Sequence, residues 1–102
     1  MTSDETTLDR ALHAIADPTR RRILHALKAE AKSGNRAGAG GAALCAGDIE
    51  ERVQLSQPTI SHHMAILTGA GLVEAVKKGQ WRWYRRNEKA IRQVLKTLKG
   101  KL

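Results

Sequence analysis

The sequence predicts a mainly α-helical domain with one small β-hairpin, and three observations lead to that fold class. Apolar residues recur at helical spacing in five segments of the chain. Only 3% of the residues are aromatic and Phe is absent, so the core has to consist of Leu, Ile, Val and Ala, which favours packed helices over a β-sandwich. One further segment, residues 72–86, instead has the pattern of two strands around a turn. The predicted element order is therefore α-α-α-α-β-β-α.

The length of the chain, 102 residues, predicts a single domain over residues 1–102, with a modest core and no room for a separate catalytic lobe. The N-terminal segment MTSDETTLDR is polar and acidic, unlike a secretory signal. No apolar run approaches the ~20 residues needed to cross a bilayer. We therefore expect a cytoplasmic protein with no membrane partner.

The first two predicted helices meet at a clear boundary. The first covers about residues 6–16, and Asp17 and Pro18 then supply an N-cap and a first-turn proline for the second. The apolar stripes consist of Leu8, Leu12 and Ile15 in the first helix and Ile23, Leu24 and Leu27 in the second. Residues 33–42 are rich in Gly and Ala and hold no large apolar side chain, so we expect a flexible loop there.

Three consecutive arginines, Arg20, Arg21 and Arg22, occupy the first turns of the second helix. Positive charge at a helix N-terminus opposes the helix dipole and costs roughly a few tenths of a kcal/mol per residue. Two interpretations stay open. Either the arginines have a use that offsets this cost, or they form a solvated face with partners in the acidic first helix.

The stretch from Leu55 to Ile66 is the most informative about function. Ser56 is a natural N-cap whose hydroxyl can accept a backbone N–H, and Pro58 fits the first helical turn. The predicted buried stripe consists of Ile60, Met64 and Leu67. The remaining side chains near the N-terminal end are short, uncharged hydrogen-bonding groups suited to base edges, namely Gln57, Thr59, Ser61 and His62.

A short amphipathic helix over residues 47–53 precedes this stretch across a tight turn at Gln54 and Leu55. Two short helices joined so closely predict a helix-turn-helix, in which the second helix enters the major groove of DNA and the first braces it. A helix pair without any nucleic-acid role is the alternative.

The predicted hairpin follows Gly69 and Gly71, with strands over residues 72–77 and 81–86. On the second strand one side carries Trp81 and Trp83, and the other carries Arg82, Tyr84 and Arg86. One side can therefore pack on the helices while the other meets phosphate. A basic hairpin directly after a helix-turn-helix is a wing, and an edge hairpin that carries cations to prevent aggregation is the alternative.

The net charge of +8 indicates an anionic partner, and its distribution is uneven. Residues 77–102 contain ten Lys and Arg residues against one Glu, whereas residues 1–76 contain eight against nine acidic residues. The positive charge is therefore concentrated in the predicted wing and the last helix.

The last predicted helix runs from Glu88, behind an Asn87 N-cap, to about Lys99. Its apolar stripe consists of Ile91, Val94, Leu95 and Leu98. Pairing this stripe and that of the first helix across a two-fold axis would set two recognition helices about 34 Å apart, one turn of DNA. Packing of both terminal helices within one chain is the alternative.

Three blocks of the sequence, in this order, resemble the ArsR/SmtB family of bacterial winged-helix repressors. They are AIADPTRRRIL (14–24), LSQPTISHHMAIL (55–67) and GAGLVEAVKKGQWRWYR (69–85), and the resemblance covers about residues 8–99. It implies a homodimer that binds an inverted repeat in double-stranded DNA and releases it on a signal. It places Gln57, Thr59, Ser61, His62 and His63 on the DNA-reading helix and Lys77, Lys78 and Arg82 on the wing.

The resemblance does not extend to the metal sites of this family. The family's Cys-x-Cys pair is represented by Cys45 alone, since Gly47 stands at the second position, and one soft ligand cannot hold a metal tightly. The last helix lacks the Asp and His pairs of the family's other site. His13 and His25 are interpreted as ordinary histidines. No metal or cofactor is predicted, and the inducer is unknown, with a non-metal signal such as a small molecule favoured.

Cys45 is the single cysteine, so no internal disulfide can form. It is either a redox or electrophile sensor near the start of the helix-turn-helix or a small, partly buried residue. The leading function is thus a sequence-specific DNA-binding repressor. A protein-interaction module is the alternative from another class. Enzymatic activity is not predicted, because no carboxylate pair, phosphate loop or pocket signature accompanies Cys45 and the histidines.

Overall fold

The computed structural model describes residues 3–33 and 43–102. Within them the chain forms α1 (Ser3–Ala16), α2 (Pro18–Ser33), β1 (Leu44–Cys45), α3 (Ala46–Val53), α4 (Gln57–Gly69), β2 (Val73–Lys78), β3 (Trp81–Arg86) and α5 (Glu88–Lys101). The mainly helical winged helix-turn-helix predicted from the sequence is confirmed, with one additional strand, β1, between α2 and α3. The loop expected at 33–42 lies, apart from Ser33, outside the described residues.

The sheet has one strand that sequence patterns did not predict. Its antiparallel order is β1-β3-β2, with Leu44 opposite Tyr84 and Cys45 opposite Trp83. A two-residue strand has no periodicity of its own and exists only because β3 offers a free edge. The hairpin turn lies at Gly79 and Gln80, where Gly79 has a φ of 63° that suits glycine.

The core lies where α2, α3 and α4 meet the sheet. Its largest fully buried side chains are Ile23, Leu27, Ile49, Ile60, Met64, Leu67 and Val73. The side of the hairpin that faces this core is the one that carries Tyr84, which is 7% exposed, whereas Trp81 is 56% exposed. The two tryptophans therefore lie on the outer side of the sheet.

The arginines at the start of α2 bind the carbonyl ends of other helices. Arg20 donates from Nε to the carbonyl of Ala14 at 2.6 Å, and Arg21 donates to Ile15 at 2.6 Å. Arg22 donates to the carbonyl of Val53, the last residue of α3, at 3.0 Å. The cations thus satisfy acceptors that helices α1 and α3 leave free at their C-termini, a use that offsets their unfavourable position.

The terminal helices pack partly on each other within one chain. Leu8 and Val94, expected at a dimer interface, are each only 8% exposed and belong to the chain's own core. Leu95 in contrast is 59% exposed. The half-buried members of the two stripes are Leu12, Ile15, Ile91 and Leu98. Across residues 3–33 and 43–102, no helix combines the length and apolar character that a membrane span requires.

We expect Leu67→Ala to lower the free energy of unfolding by about 2–5 kcal/mol, because Leu67 is fully buried and its truncation leaves a cavity in the core. Urea denaturation at constant protein concentration measures the change. Leu102→Ala, at a side chain that is 97% exposed, is the control and should leave the midpoint unchanged. Equal midpoints for both variants would contradict the position of α4 in the core.

Candidate nucleic-acid interface

A backbone hydrogen bond stabilises the turn between α3 and α4. Gln54 adopts a left-handed conformation with φ 59° and donates its backbone N–H to Glu50 at 2.9 Å, which ends α3. Ser56 then occupies the N-cap of α4 in an extended conformation. Its hydroxyl pairs with the Thr59 hydroxyl at 3.0 Å and makes no side-chain bond to the backbone, so the predicted capping contact is replaced by a pair of hydroxyls.

Helix α4 has one buried side and one exposed side, as the sequence predicts. Ile60, Met64 and Leu67 face the core. The exposed residues of its first two turns are Gln57, Pro58, Ser61 and His62, with Thr59 half-buried beside them. Apart from Pro58, the exposed face therefore consists of hydrogen-bonding groups without a permanent charge, which can meet base edges without the desolvation cost of such a charge.

His63 points elsewhere, into the junction of α1, α2 and α4. The Arg20 guanidinium, 7% exposed, donates from Nη1 to His63 Nδ1 at 3.2 Å and from Nη2 to the carbonyl of His13 at 3.2 Å. Because arginine only donates, Nδ1 must be the acceptor and the ring must be neutral. His63 thus contributes to the position of α4, whereas its neighbours form the exposed face of the helix.

The environment of His63 keeps its ring neutral. Burial lowers the pKa of His63 below its ordinary value of 6.5, and the positive charges of Arg20 and His62 lower it further, against an opposing contribution from Asp17. The Asp17 carboxylate accepts the backbone N–H of Arg20 at 3.0 Å, and this bond is the main cause of its own lowered pKa.

A cleft separates α4 from the wing. One wall is formed by Ser61, Ala65 and Thr68 of α4, and the other includes Ala75 and Arg82 of the hairpin, around a volume of about 260 Å³. Lys77 pairs directly with Arg82 across the strands and lies on the same side of the sheet. The structure thus brings Ser61 and Arg82 together and places Lys77 nearby. Lys78, opposite Trp81, lies on the outer side.

Two other arginines of the second strand are engaged in contacts that hold the fold. Arg86 donates to the carbonyl of Leu24 at 3.2 Å and forms an ion pair with Glu88 at 2.7 Å. This ion pair lowers the pKa of Glu88. Arg85 pairs with Glu74 at 3.1 Å. Arg86, expected from the alternation to share the phosphate-facing side with Arg82, therefore connects the sheet to α2 and α5.

Comparison with known proteins bears directly on this combination of a helix-turn-helix and a wing. The model of a helix-turn-helix domain family matches residues 15–76. The transcriptional repressor SdpR of Bacillus subtilis strain 168 is 36% identical over 88 residues, which cover 86% of this chain and 84% of SdpR. The chain belongs to the ArsR family of helix-turn-helix transcriptional regulators.

Other proteins of the ArsR family are also similar to this chain in sequence or in structure. An arsenical resistance operon repressor of Staphylococcus aureus is 42% identical over 55 residues, 54% of this chain and 53% of the repressor. The solved structure of an ArsR-like transcriptional regulator from Rhodococcus sp. RHA1 matches with a TM-score of 0.76 and 27% identity, over 97% of this chain and 82% of that one. This ArsR-family chain is accordingly a DNA-binding transcriptional regulator of the repressor class and not an enzyme.

Cys45 occupies the N-cap of α3 in this ArsR-family chain. Its thiol donates to Asp48 Oδ2 at 3.1 Å, and its backbone N–H donates to the same oxygen at 3.2 Å. Burial raises the pKa of the Cys45 thiol, and the thiol–carboxylate hydrogen bond raises it further. Among the residues that the structure describes, no three His, Cys, Asp or Glu side chains are grouped so as to hold a metal ion.

Sequence reasoning missed the role of Arg20. The only available signal was the unfavourable position of three arginines at a helix N-terminus, and it did not identify their partners. The contact between Arg20 and His63 joins positions 43 residues apart, which no local pattern reveals.

We expect the thermal stability of the ArsR-family chain to fall as the pH is lowered from about 7, because His63 then takes up a proton. The unfolded chain binds a proton at this histidine more readily than the folded chain does. The contribution of neutral His63 to the stability of the folded chain is therefore complete above the ordinary pKa of 6.5, and it is lost as the pH falls through the lowered pKa of the folded chain. His63→Gln should reduce this pH dependence of the melting temperature.

His25→Gln, at an exposed histidine of α2 that is not among the groups that shift the pKa of His63, is the matched control and should keep the parent profile. Melting curves across this pH range for the three proteins provide the measurement. Parallel profiles for the parent and His63→Gln would remove His63 from the titration.

Proposed function

We propose that this ArsR-family regulator is a homodimeric repressor that reads an inverted-repeat operator and releases it when a non-metal inducer binds. The observation that carries the proposal is the cleft between α4 and the wing. A neutral, polar wall with Ser61 faces a cationic wall with Arg82. This pairing suits a DNA strand whose base edges meet α4 and whose phosphates meet the wing.

The two walls of the cleft would bind different parts of the DNA, because their side chains differ in chemistry. Arg82 and Lys77 would bind phosphates and supply affinity that depends on salt but not on sequence. Gln57 can form a bidentate pair with adenine, and Ser61 and His62 can bond to other base edges. His63 would act indirectly, through the position of α4.

A homodimer is supported by the apolar surface left on the terminal helices. Leu95 is 59% exposed on α5, beside the half-buried Ile91 and Leu98. On α1, Leu12 and Ile15 are half-buried as well. Covering these side chains with the same surface of a second copy would remove apolar area from water and create the two-fold axis that an inverted repeat requires.

A non-metal inducer is supported by the lack of soft ligands. Relatives of this chain include arsenical resistance operon repressors, but a sequence with one cysteine cannot surround a soft metal or metalloid ion with several thiolates from one chain. The raised pKa of Cys45 lowers its thiolate fraction, which argues against the redox alternative, because the thiolate is the reactive form.

We expect Gln57→Ala and His62→Ala each to weaken binding to the operator by about tenfold or more while sparing binding to random duplex, because base contacts carry specificity. The operator is a duplex selected from a random pool by the parent protein, and footprinting with fluorescence anisotropy provides the measurement. Gln93→Ala on α5 and His25→Ala on α2 are matched controls at exposed positions. Footprints of both test variants that equal the parent footprint would refute the assignment of α4 as the reading helix.

We expect Leu95→Gln to shift the protein from dimer to monomer, because it places an amide in the centre of the proposed interface. Sedimentation velocity measures the mass, and circular dichroism confirms that the helices persist. Lys96→Gln, the exposed neighbour off the apolar stripe, should remain dimeric. A parent protein that sediments as a monomer at every concentration would exclude the homodimer.

A further inference from the structure

A small cavity lies where α1 and α5 meet the C-terminal end of α4. It has a volume of about 170 Å³, and its walls include Thr7, Leu8, Ala70, Ala90, Val94 and Thr97. Leu8 and Val94, each 8% exposed, form its innermost apolar part. Because the two alanines end at Cβ, the chain's own side chains leave the space in front of them unfilled.

The lining of this cavity favours an uncharged molecule. None of the described residues that line it carries a charge, and burial of an ionised group without a partner is costly. The hydroxyls of Thr7 and Thr97 can donate or accept a hydrogen bond, whereas the other walls offer apolar contact. An apolar cavity of about 150 Å³ can hold one benzene ring. A single ring with one polar group therefore matches both the volume and the lining.

The cavity and the proposed dimer interface use different faces of α5. The cavity face carries residues at positions i, i+4 and i+7, namely Ala90, Val94 and Thr97. The apolar stripe of the proposed interface begins one residue later, about 100° around the helix, with Ile91, Leu95 and Leu98. A second copy of the chain packed on that stripe would therefore leave the cavity face of α5 to a ligand.

Backbone hydrogen bonds join the end of α4 to the start of α5 beside this cavity. Leu72 donates its N–H to the carbonyl of Leu67 in α4 at 3.1 Å. Asn87, the N-cap of α5, donates its N–H to the carbonyl of Leu72 at 2.9 Å. Ala70, which follows α4, is itself part of the cavity wall. A molecule that changes the packing of α1 on α5 therefore acts on the end of α4 as well.

We propose that this cavity is the inducer site and that the inducer is a small uncharged molecule with one ring and a hydroxyl or carbonyl group. The inference rests on the proposed function and adds to it a place and a chemical class. The bound molecule occupies the space between α1 and α5 and favours an arrangement in which these helices lie further apart. Operator affinity falls to the extent that the molecule binds this arrangement more tightly than the one that fits DNA.

Phenol is the probe for this site, because it is uncharged at neutral pH and combines one ring with one hydroxyl. Toluene has the same size without the hydroxyl, and benzoate carries a charge. Each is titrated into the isotope-labelled full chain while backbone amide shifts are recorded by NMR. We expect saturable phenol binding with a Kd of about 1 mM and the largest shifts at the cavity walls. Toluene should bind about fivefold more weakly, and benzoate should leave the cavity amides unchanged.

Two variants change the cavity in different ways. Ala90→Leu fills it and should weaken phenol binding by about tenfold or more. Ala29→Leu makes the same change at an exposed position of α2 and should bind phenol as the parent does. The double variant Thr7→Val with Thr97→Val replaces both hydroxyls by methyl groups without added volume, so it tests the site even if Ala90→Leu unfolds. Phenol and toluene should bind this double variant equally.

Fluorescence anisotropy of the selected operator duplex measures the consequence for DNA binding. Saturating phenol should weaken operator binding by the parent and by Ala29→Leu about tenfold, a typical coupling between two sites. Ala90→Leu should bind the operator with the same affinity in the presence and absence of phenol, because its cavity is already filled.

The outcomes separate this inference from the proposed function. No saturable binding of phenol or toluene at the cavity, or equal phenol binding by the parent and a folded Ala90→Leu, would overturn the site. Loss of phenol binding at rising protein concentration would assign the cavity to a second copy and also overturn it. Phenol binding without a change in operator affinity would overturn the inducer role and leave the repressor intact. Phenol binding by a parent that binds no selected duplex would instead refute the proposed function.

Discussion

One buried guanidinium joins the end of α1 to the middle of α4, the proposed reading helix, and adds to the core packing that positions α4. Arg20 is the one charged side chain below a tenth exposed among the described residues, and burial of an unpaired charge would be prohibitive. It is instead bonded to the carbonyls of Ala14 and His13 at the end of α1 and to His63 in the middle of α4. The end of α1 and the centre of α4 are therefore both bonded to the rigid guanidinium group of Arg20. A displacement of either helix breaks a bond to a buried cation, so the two helices are energetically coupled.

Several of the cations that contribute to the net charge are bonded to groups within the fold. Among the cations, Arg20, Arg21 and Arg22 bind helix carbonyls, and Arg86 binds both a carbonyl and Glu88. Guanidinium groups engaged in this way stabilise the packing of helices and present fewer donors to an external anion. The basic character of the sequence therefore overstates the number of guanidinium donors available to DNA from these positions. In the proposed complex, the cations that face DNA are Arg82, which borders the cleft, and its cross-strand partner Lys77.

Local chemistry explains what the sequence could predict. The polar start of α4 after Ser56 and the two strands of the hairpin are encoded by neighbours in the chain, and both appear where the local sequence places them, although Ser56 does not make the predicted capping bond. The strand β1, the burial of Tyr84 in preference to the tryptophans, and the contact of Arg20 with His63 depend on pairing between distant segments. Which residues of the apolar stripes on α1 and α5 are buried also depends on contacts between distant segments. Leu8 and Val94 have the same local pattern as Leu95, and only the crossing of α1 with α5 decides which of them face inward.

The coupling through Arg20 also limits how any inducer can act. A ligand shifts the DNA affinity only if it binds two arrangements of the chain with different affinity. Because α1 packs against α5 and its last carbonyls accept hydrogen bonds from Arg20, a change in the packing of the terminal helices would also displace the side chain that contacts His63. The exposed face of α4 need not be touched. The proposed inducer, bound at the terminal helices, would then change the position of α4 through the packing of α1 and through the contacts of Arg20, because a buried charge tolerates few arrangements.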